Sequence, residues 1–238
     1  MGARSRYRGN FQDTGSIIEL YRVSTVYVGE KRPAIKDITL SIEKGEYVLV
    51  SGPNGAGKTT LLETILGLLK PQSGKIKLLG YEIPRRALEA RKLCSYVPQD
   101  FTRSPDEVFK AKEVVAMGLA SNRPLGKLSR DDWRRVEEVL EVLGISDLAE
   151  RPIGKLSGGQ QQKVFIARAL VRDPRVLFLD EPFSALDSKS RIFLSDLLEE
   201  LHEEDRTILL VAHVPPELKG IDREIYMVEG RIEKVIEH

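Results

Sequence analysis

The segment that most restricts what this chain can fold into is Ser51-Gly52-Pro53-Asn54-Gly55-Ala56-Gly57-Lys58-Thr59. A short apolar run, Glu46–Val50, leads into it, and Leu61, Leu62, Ile65, Leu66 and Leu69 follow at helical spacing until Lys70-Pro71. A strand, a glycine-rich turn and a helix in that order open a parallel α/β sheet. Gly55 and Gly57 let backbone N–H groups turn inward, where phosphate oxygens can accept from them, and the helix N-terminus adds its positive end. Lys58 is then placed to reach the β- and γ-phosphates of a nucleotide, and the Thr59 hydroxyl to ligate Mg²⁺. The same residues could form an ordinary glycine turn before a helix. The strand before and the helix after favour nucleotide binding, with Gly52, Pro53, Asn54, Gly55, Ala56, Gly57, Lys58, Thr59 and Thr60 as the candidate contacts.

A second acidic element completes the chemistry. Val176–Leu179 is a four-residue apolar run that ends in Asp180 and Glu181. A carboxylate at the end of a buried strand can hold the Mg²⁺ shell, which suits Asp180. Glu181, the next residue, can polarise an attacking water as general base. Alone, an Asp-Glu pair after a strand also reads as a turn or helix start. Paired with the loop at Gly52–Thr59, it becomes a hydrolytic site.

Around these motifs the chain reads as α/β. Ile17–Val28 and Ile38–Ile42 have strand composition and give an N-terminal antiparallel β subdomain. From about Asp100 to Ile153 strand signals fade. There Asp131–Leu143 is predicted helical, with Trp133, Val136, Val139, Leu140 and Leu143 on one face, Ser129 as N-cap and Gly144 as C-cap. Residues of about 100–155 therefore read as a helical subdomain inserted into a mostly parallel sheet domain. Helices Gln160–Arg172 and Lys189–Glu203, strand Thr207–Ala212 and a hairpin of Glu224–Val228 with Arg231–Ile236 complete residues 17–238 as one domain. Residues 1–16, with Arg4, Arg6 and Arg8, read as a disordered basic tail.

Composition excludes several classes. The 238 residues carry 37 Lys and Arg against 36 Asp and Glu, a net charge of +1, which argues against nucleic acid as partner. A single cysteine, Cys94, forms no intrachain disulfide or thiolate cage, which suits a reducing compartment. No apolar run approaches the ~20 residues of a membrane span, so a soluble, intracellular protein is expected.

Leu156-Ser157-Gly158-Gly159-Gln160, just before a helix, supplies a hydroxyl and free N–H groups at a second helix N-terminus. Alone it could be an N-cap with a flexible lead-in. With the other motifs, the chain from about Ile17 to Ile236 resembles the ATP-binding cassette (ABC) ATPases, the nucleotide-binding subunits of ABC transporters, most specifically over Leu156–Asp187. That resemblance implies a P-loop NTPase core binding ATP and Mg²⁺. It places Tyr27 where an aromatic stacks on adenine, although by composition Tyr27 could equally be a strand tyrosine packed on a neighbour. It makes Gln99 a sensor of Mg²⁺ and of the attacking water, and His213 a contact to the γ-phosphate, where a strand-end histidine is the alternative. Ser184-Ala185-Leu186-Asp187 resembles a loop that contacts the opposite subunit. Many members follow that histidine with an acidic residue and a helix, whereas Val214-Pro215-Pro216 follows here.

The resemblance further implies that Ser157, Gly158, Gly159 and Gln160 close over the ATP of a second copy, giving an ATP-dependent dimer, in its simplest form a homodimer. It implies a transmembrane permease partner, with the chain cytoplasmic and peripheral on the inner face of the membrane. A groove around Gln99 and Asp100–Gly118, with Phe101, Val108, Phe109 and Val115, would receive a helix of that permease. Short segments, Glu113–Leu119 and Gln160–Leu170, look most like importers of metal ions or metal chelates. The alternative is a soluble ABC-type ATPase assisting assembly, as in iron–sulfur cluster biogenesis.

Overall fold

The computed structural model describes residues 15–27, 29–30, 32–99, 106–120, 123–212 and 218–238. Alternation builds the first sheet. β1 (Ser16–Thr25) and β2 (Ile35–Glu43) turn Ile18, Leu20, Val23, Ile38, Leu40 and Ile42 to one buried face and Glu19, Tyr21, Thr39 and Ser41 outward. They pair antiparallel with Leu20 opposite Leu40 and Val23 opposite Ile38. β4 (Ser73–Leu78) pairs with the other edge of β1, placing Ile76 opposite Leu20. With β5 (Tyr81–Ile83) they form a four-stranded antiparallel sheet in the order β2-β1-β4-β5.

The second sheet has a different sequence logic. β3 (Tyr47–Ser51), β7 (Val176–Asp180) and β8 (Thr207–Val211) are buried at every residue, as continuous apolar strands of parallel sheets are. With β6 (Cys94–Val97), β9 (Arg223–Val228) and β10 (Arg231–Glu237) the order is β10-β9-β3-β8-β7-β6. β3 runs parallel to β9 and β6 parallel to β7, while β9 and β10 form an antiparallel hairpin. The architecture is therefore α/β, an antiparallel sheet beside a mostly parallel mixed sheet with helices, as the sequence implies.

The chain divides into two compact units, Met1–Ala90 with Leu197–Ile208 and Gly220–His238, and Arg91–Asp196 with Leu209–Lys219. The first holds the antiparallel sheet, β3, β9, β10 and α1 (Lys58–Ile65). α1 is shorter than its apolar periodicity suggests. Gly67, at φ +65, leaves the helical path, the N–H groups of Leu68 and Leu69 both donate to the carbonyl of Glu63, and Leu68 is left exposed.

The second unit holds β6, β7, α3 (Ala111–Ala120), α4 (Arg130–Val142) and α5 (Gly158–Leu170). Short α2 (Ala87–Arg91) and long α6 (Ser188–Glu203) each cross the division. α4 opens on a capping box in which Ser129 and Asp132 satisfy each other's backbone N–H groups, and closes on Gly144 at φ +62. Trp133 sits at the rim of its face, while Val136, Val139, Leu140 and Leu143 are buried. Among the described residues of 106–155, β pairing is confined to an isolated bridge between Lys110 and Pro152. No helix among the described residues is long and apolar enough to cross a membrane.

Candidate active site

In the first unit, β3 delivers the chain into the glycine loop and α1 leaves it. Gly52 has φ +136, and a Cβ there would lie 2.1 Å from the carbonyl oxygen of Met227, so no side chain fits. Gly57 is the N-cap of α1 at φ +95, with no side-chain cap hydrogen bond. The first N–H groups of α1, which have no intrahelical acceptor in any helix, therefore receive no side-chain cap from Gly57 either, and they carry the positive end of the helix dipole. Lys58 is buried, and its ammonium donates to the carbonyls of Gly52 at 2.9 Å and Pro53 at 3.1 Å. No acidic residue occurs from Ser51 to Leu62. Amides, dipole and ammonium are all electropositive and converge on one loop, so these residues fit a polyphosphate.

Tyr27 lies two residues past β1 in the same unit. Its hydroxyl hydrogen-bonds with that of Thr60, at 2.9 Å, and so ties the ring to the first turn of α1. One turn further along α1, burial raises the Glu63 carboxyl above its ordinary value, an effect that a hydrogen bond with Tyr27 partly offsets.

The second unit carries the acidic residues. Asp180 is the last residue of β7 and is fully buried. Glu181 follows in the left-handed region at φ +50. Its N–H donates to the carbonyl of Val211 at 2.8 Å, and its carbonyl accepts from the Ser184 hydroxyl at 3.0 Å. β6 runs beside β7 with Val97 opposite Leu179, so Gln99 leaves its strand at the same carboxyl end as Asp180 and Glu181. That end of an open α/β sheet is where ligands bind. The oxygens of Asp180 and Gln99 in this unit, and separately the Thr59 hydroxyl in the other, are each the hard type of donor that Mg²⁺ takes.

Also in the second unit, Ser157 caps α5 through a capping box. Its hydroxyl accepts from the Gln160 N–H at 3.4 Å, and the Gln160 side chain accepts from the Ser157 N–H at 3.0 Å. The Ser157 hydroxyl proton and the N–H groups of Gly158 and Gly159 remain as donors for an anion. A Cβ on Gly159 would come within 3.2 Å of the Ala185 carbonyl, so this helix start packs closely on the Ser184–Asp187 loop. Asp187 in turn accepts from the Ser190 N–H at 2.8 Å, and this bond holds its carboxyl below the ordinary range.

The structure thus gathers Tyr27 and Gly52–Thr60 in one unit, and Gln99, Asp180, Glu181 and Ser157–Gln160 in the other. His213, together with Val214-Pro215-Pro216, Asp100 and Phe101, lies outside the described residues. Of the groove residues, Val108 and Phe109 are exposed and Val115 is core. Sequence reasoning assigned no role to Gln162, whose buried amide donates to the carbonyl of Pro182 in the Glu181 turn. The signal was an amide on the apolar stripe of α5.

A cassette of this fold, with a phosphate loop after one buried strand and paired carboxylates after another, is a nucleotide-binding class. A family model for the ABC transporter matches residues 35–184, and the chain belongs to that family. It is 41% identical over 205 residues to the molybdate/tungstate import ATP-binding protein WtpC of Thermococcus kodakarensis, covering 84% of this chain and 60% of that relative. It is 38% identical over 202 residues to the manganese transport system ATP-binding protein MntB of Bacillus subtilis, covering 82% of this chain and 76% of the relative. Among solved structures, a dimeric ATP-binding cassette in a post-hydrolysis state bound to ADP and Pi matches with TM-score 0.83 and 30% identity, over 92% of this chain and 98% of that one.

Proposed function

We propose that the chain is the ATP-hydrolysing subunit that drives a separate membrane permease in an importer. The observation that carries the reading is the buried Lys58 ammonium in the mouth of an uncapped helix N-terminus. In this reading Lys58 and the loop amides hold the β- and γ-phosphates, and Tyr27 stacks on adenine. Thr59, Asp180 and Gln99 hold Mg²⁺, which supplies charge neutralisation when bound. Glu181 accepts a proton from water as its oxygen attacks the γ-phosphorus, and the bond to the β-phosphate oxygen breaks to give ADP and phosphate. His213 contacts the γ-phosphate by family resemblance.

Ser157–Gln160 would engage the ATP of a second copy, so that ATP favours a closed dimer and hydrolysis reopens it. The dimeric relative with ADP and Pi supports this arrangement. Metal ions or metal chelates are the proposed cargo, supported by the manganese relative. The molybdate/tungstate relative, of similar identity, extends the class to metal oxyanions. Both relatives are named for import or transport, which does not favour an assembly ATPase.

The test is capture with Glu181→Gln and ATP from native membranes, identified by mass spectrometry. A polytopic membrane protein in stoichiometric yield is expected, and its companions would identify the cargo. Recovery of soluble scaffold proteins from cytosol, with nothing from the membrane, would overturn the permease reading. A variant that stays monomeric with ATP at micromolar protein would overturn the dimer.

A further inference from the structure

α5 carries an amide where its packing calls for a hydrocarbon. Gln162 is fully buried on the stripe that also carries Phe165, Ile166 and Ala169. Its Nε2 donates to the carbonyl of Pro182, and its Oε1 has no hydrogen-bond partner among the described residues. A buried acceptor left unpaired is costly, and a Leu or Met would fill this space without it. What the amide provides and a hydrocarbon cannot is the donor to Pro182.

That carbonyl belongs to the turn that displays Glu181. Glu181 has a left-handed backbone directly before a proline, a conformation that L-residues with a Cβ rarely adopt. Such strain persists where the surroundings hold it from several sides. Hydrogen bonds do so here: the Glu181 N–H on Val211, the Ser184 N–H and hydroxyl on the Glu181 carbonyl, and Gln162 on Pro182. Of these, Gln162 alone belongs to α5, the helix that begins at Ser157.

We infer that Gln162 is a positioning residue. It fixes the Glu181-Pro182 turn to α5, so that the placement of the general base follows the helix whose N-terminus grips the nucleotide of the opposite subunit. The inference rests on the proposed ATPase function. It gives closure at one nucleotide a mechanical route to hydrolysis at the other, because the same helix is anchored to the base at its second turn.

The experiment uses the purified full chain with Gln162→Met, which keeps the volume and removes the donor. Steady-state hydrolysis should show kcat lowered about 10- to 100-fold by a misplaced base. The KM for ATP and the affinity for a fluorescent ATP analogue should stay within about twofold, because Gln162 is remote in sequence from the phosphate loop and donates to a different turn. In the Glu181→Gln background, Gln162→Met should still dimerise with ATP. Gln162→Leu is the second variant if Met fails to fold. A Met or Leu variant with wild-type kcat would show that Gln162 only packs and overturns the inference, as would a raised KM with unchanged kcat. Loss of fold in both variants would assign Gln162 to the core and overturn it too. An unmutated chain that neither binds nor cleaves ATP would instead overturn the proposed function, a failure visible before any variant is made.

Discussion

The hydroxyl oxygens of Tyr27 and Thr60 lie 2.9 Å apart, so the aromatic ring beyond β1 is tethered to the first turn of α1, two residues past Lys58. The anchored end leaves the rest of the ring accessible, 39% of the residue being exposed. A ring held by its hydroxyl has little rotamer freedom left to lose on stacking. Stacking of a base on an aromatic contributes about 1–3 kcal/mol. Tyr27→Ala should therefore weaken ATP binding about 5- to 150-fold, while Tyr27→Phe, which keeps the ring and loses the tether, should stay within about threefold. Titration with a fluorescent ATP analogue measures both. Equal losses in the two variants would assign the effect to the hydroxyl and remove the stacking role.

Lys58 presents the second prediction. Its ammonium rests on the carbonyls of Gly52 and Pro53 at the loop mouth, where it can exchange those weak acceptors for phosphate oxygens. Lys58→Ala should lower kcat/KM for ATP hydrolysis about 10²- to 10³-fold, the usual cost of one preorganised donor to developing charge. Colorimetric phosphate release would measure it. A variant within a factor of about three of wild type would remove Lys58 from the reaction.

Gly52 tests the loop backbone itself. A Cβ at this position would sit 2.1 Å from the Met227 carbonyl, and φ +136 is closed to alanine. Strain and overpacking together should cost about 2–5 kcal/mol, lowering the thermal midpoint by roughly 5–15 °C in a chain of this size. Gly55→Ala is the internal comparison. It shares a positive φ but meets no atom within 4 Å, so it should lose less. Calorimetry on the two variants distinguishes the clash from the backbone conformation.

Where the sequence was informative, local physics demanded particular residues. The glycine loop is legible because its backbone excludes side chains at Gly52 and Gly57, and β3, β7 and β8 because each is apolar through its length. Ser129 and Gly144 announce the ends of α4 for the same reason. β4 and β5 escape notice because Lys75, Lys77 and Glu82 interleave with few apolar residues, of which Ile76, Leu78 and Ile83 are buried. α1 ends before its apolar spacing does because Leu69 continues that spacing past Gly67, where the backbone leaves the helix. In the site, Lys58, Asp180 and Glu181 follow from motif chemistry. Tyr27, Gln99 and His213 needed the family resemblance, and the hydroxyl partner of Tyr27, Thr60, lies 33 residues away along the chain. The Gln162 bond to Pro182 spans 20 residues and belongs to tertiary structure alone.

Acid stability provides the last prediction. The Asp132 carboxylate accepts from the Arg123 guanidinium at 3.0 and 3.1 Å and from the Ser129 N–H at 2.9 Å. Arg123 first and then the Ser129 N–H hold its carboxyl well below the usual carboxylate range. Glu150, bound by Lys110 and Lys112, is pushed down to about 2. A carboxyl depressed in the folded state adds stability that is complete above its unfolded value, near about 4, and is lost as pH falls toward the folded value. The contribution of these two carboxyls to the unfolding free energy should therefore be flat from about pH 7 to 5 and decline from about pH 4 downward. Asp132→Asn keeps an acceptor for the Ser129 N–H but has no proton to take up, so its decline should be shallower. Asp132→Ala, losing cap and ion pair together, should cost about 1–3 kcal/mol at neutral pH. Urea unfolding at several pH values measures each slope. An Asn variant whose acid slope equals that of the wild type would show that Asp132 does not take up the proton that destabilises the fold.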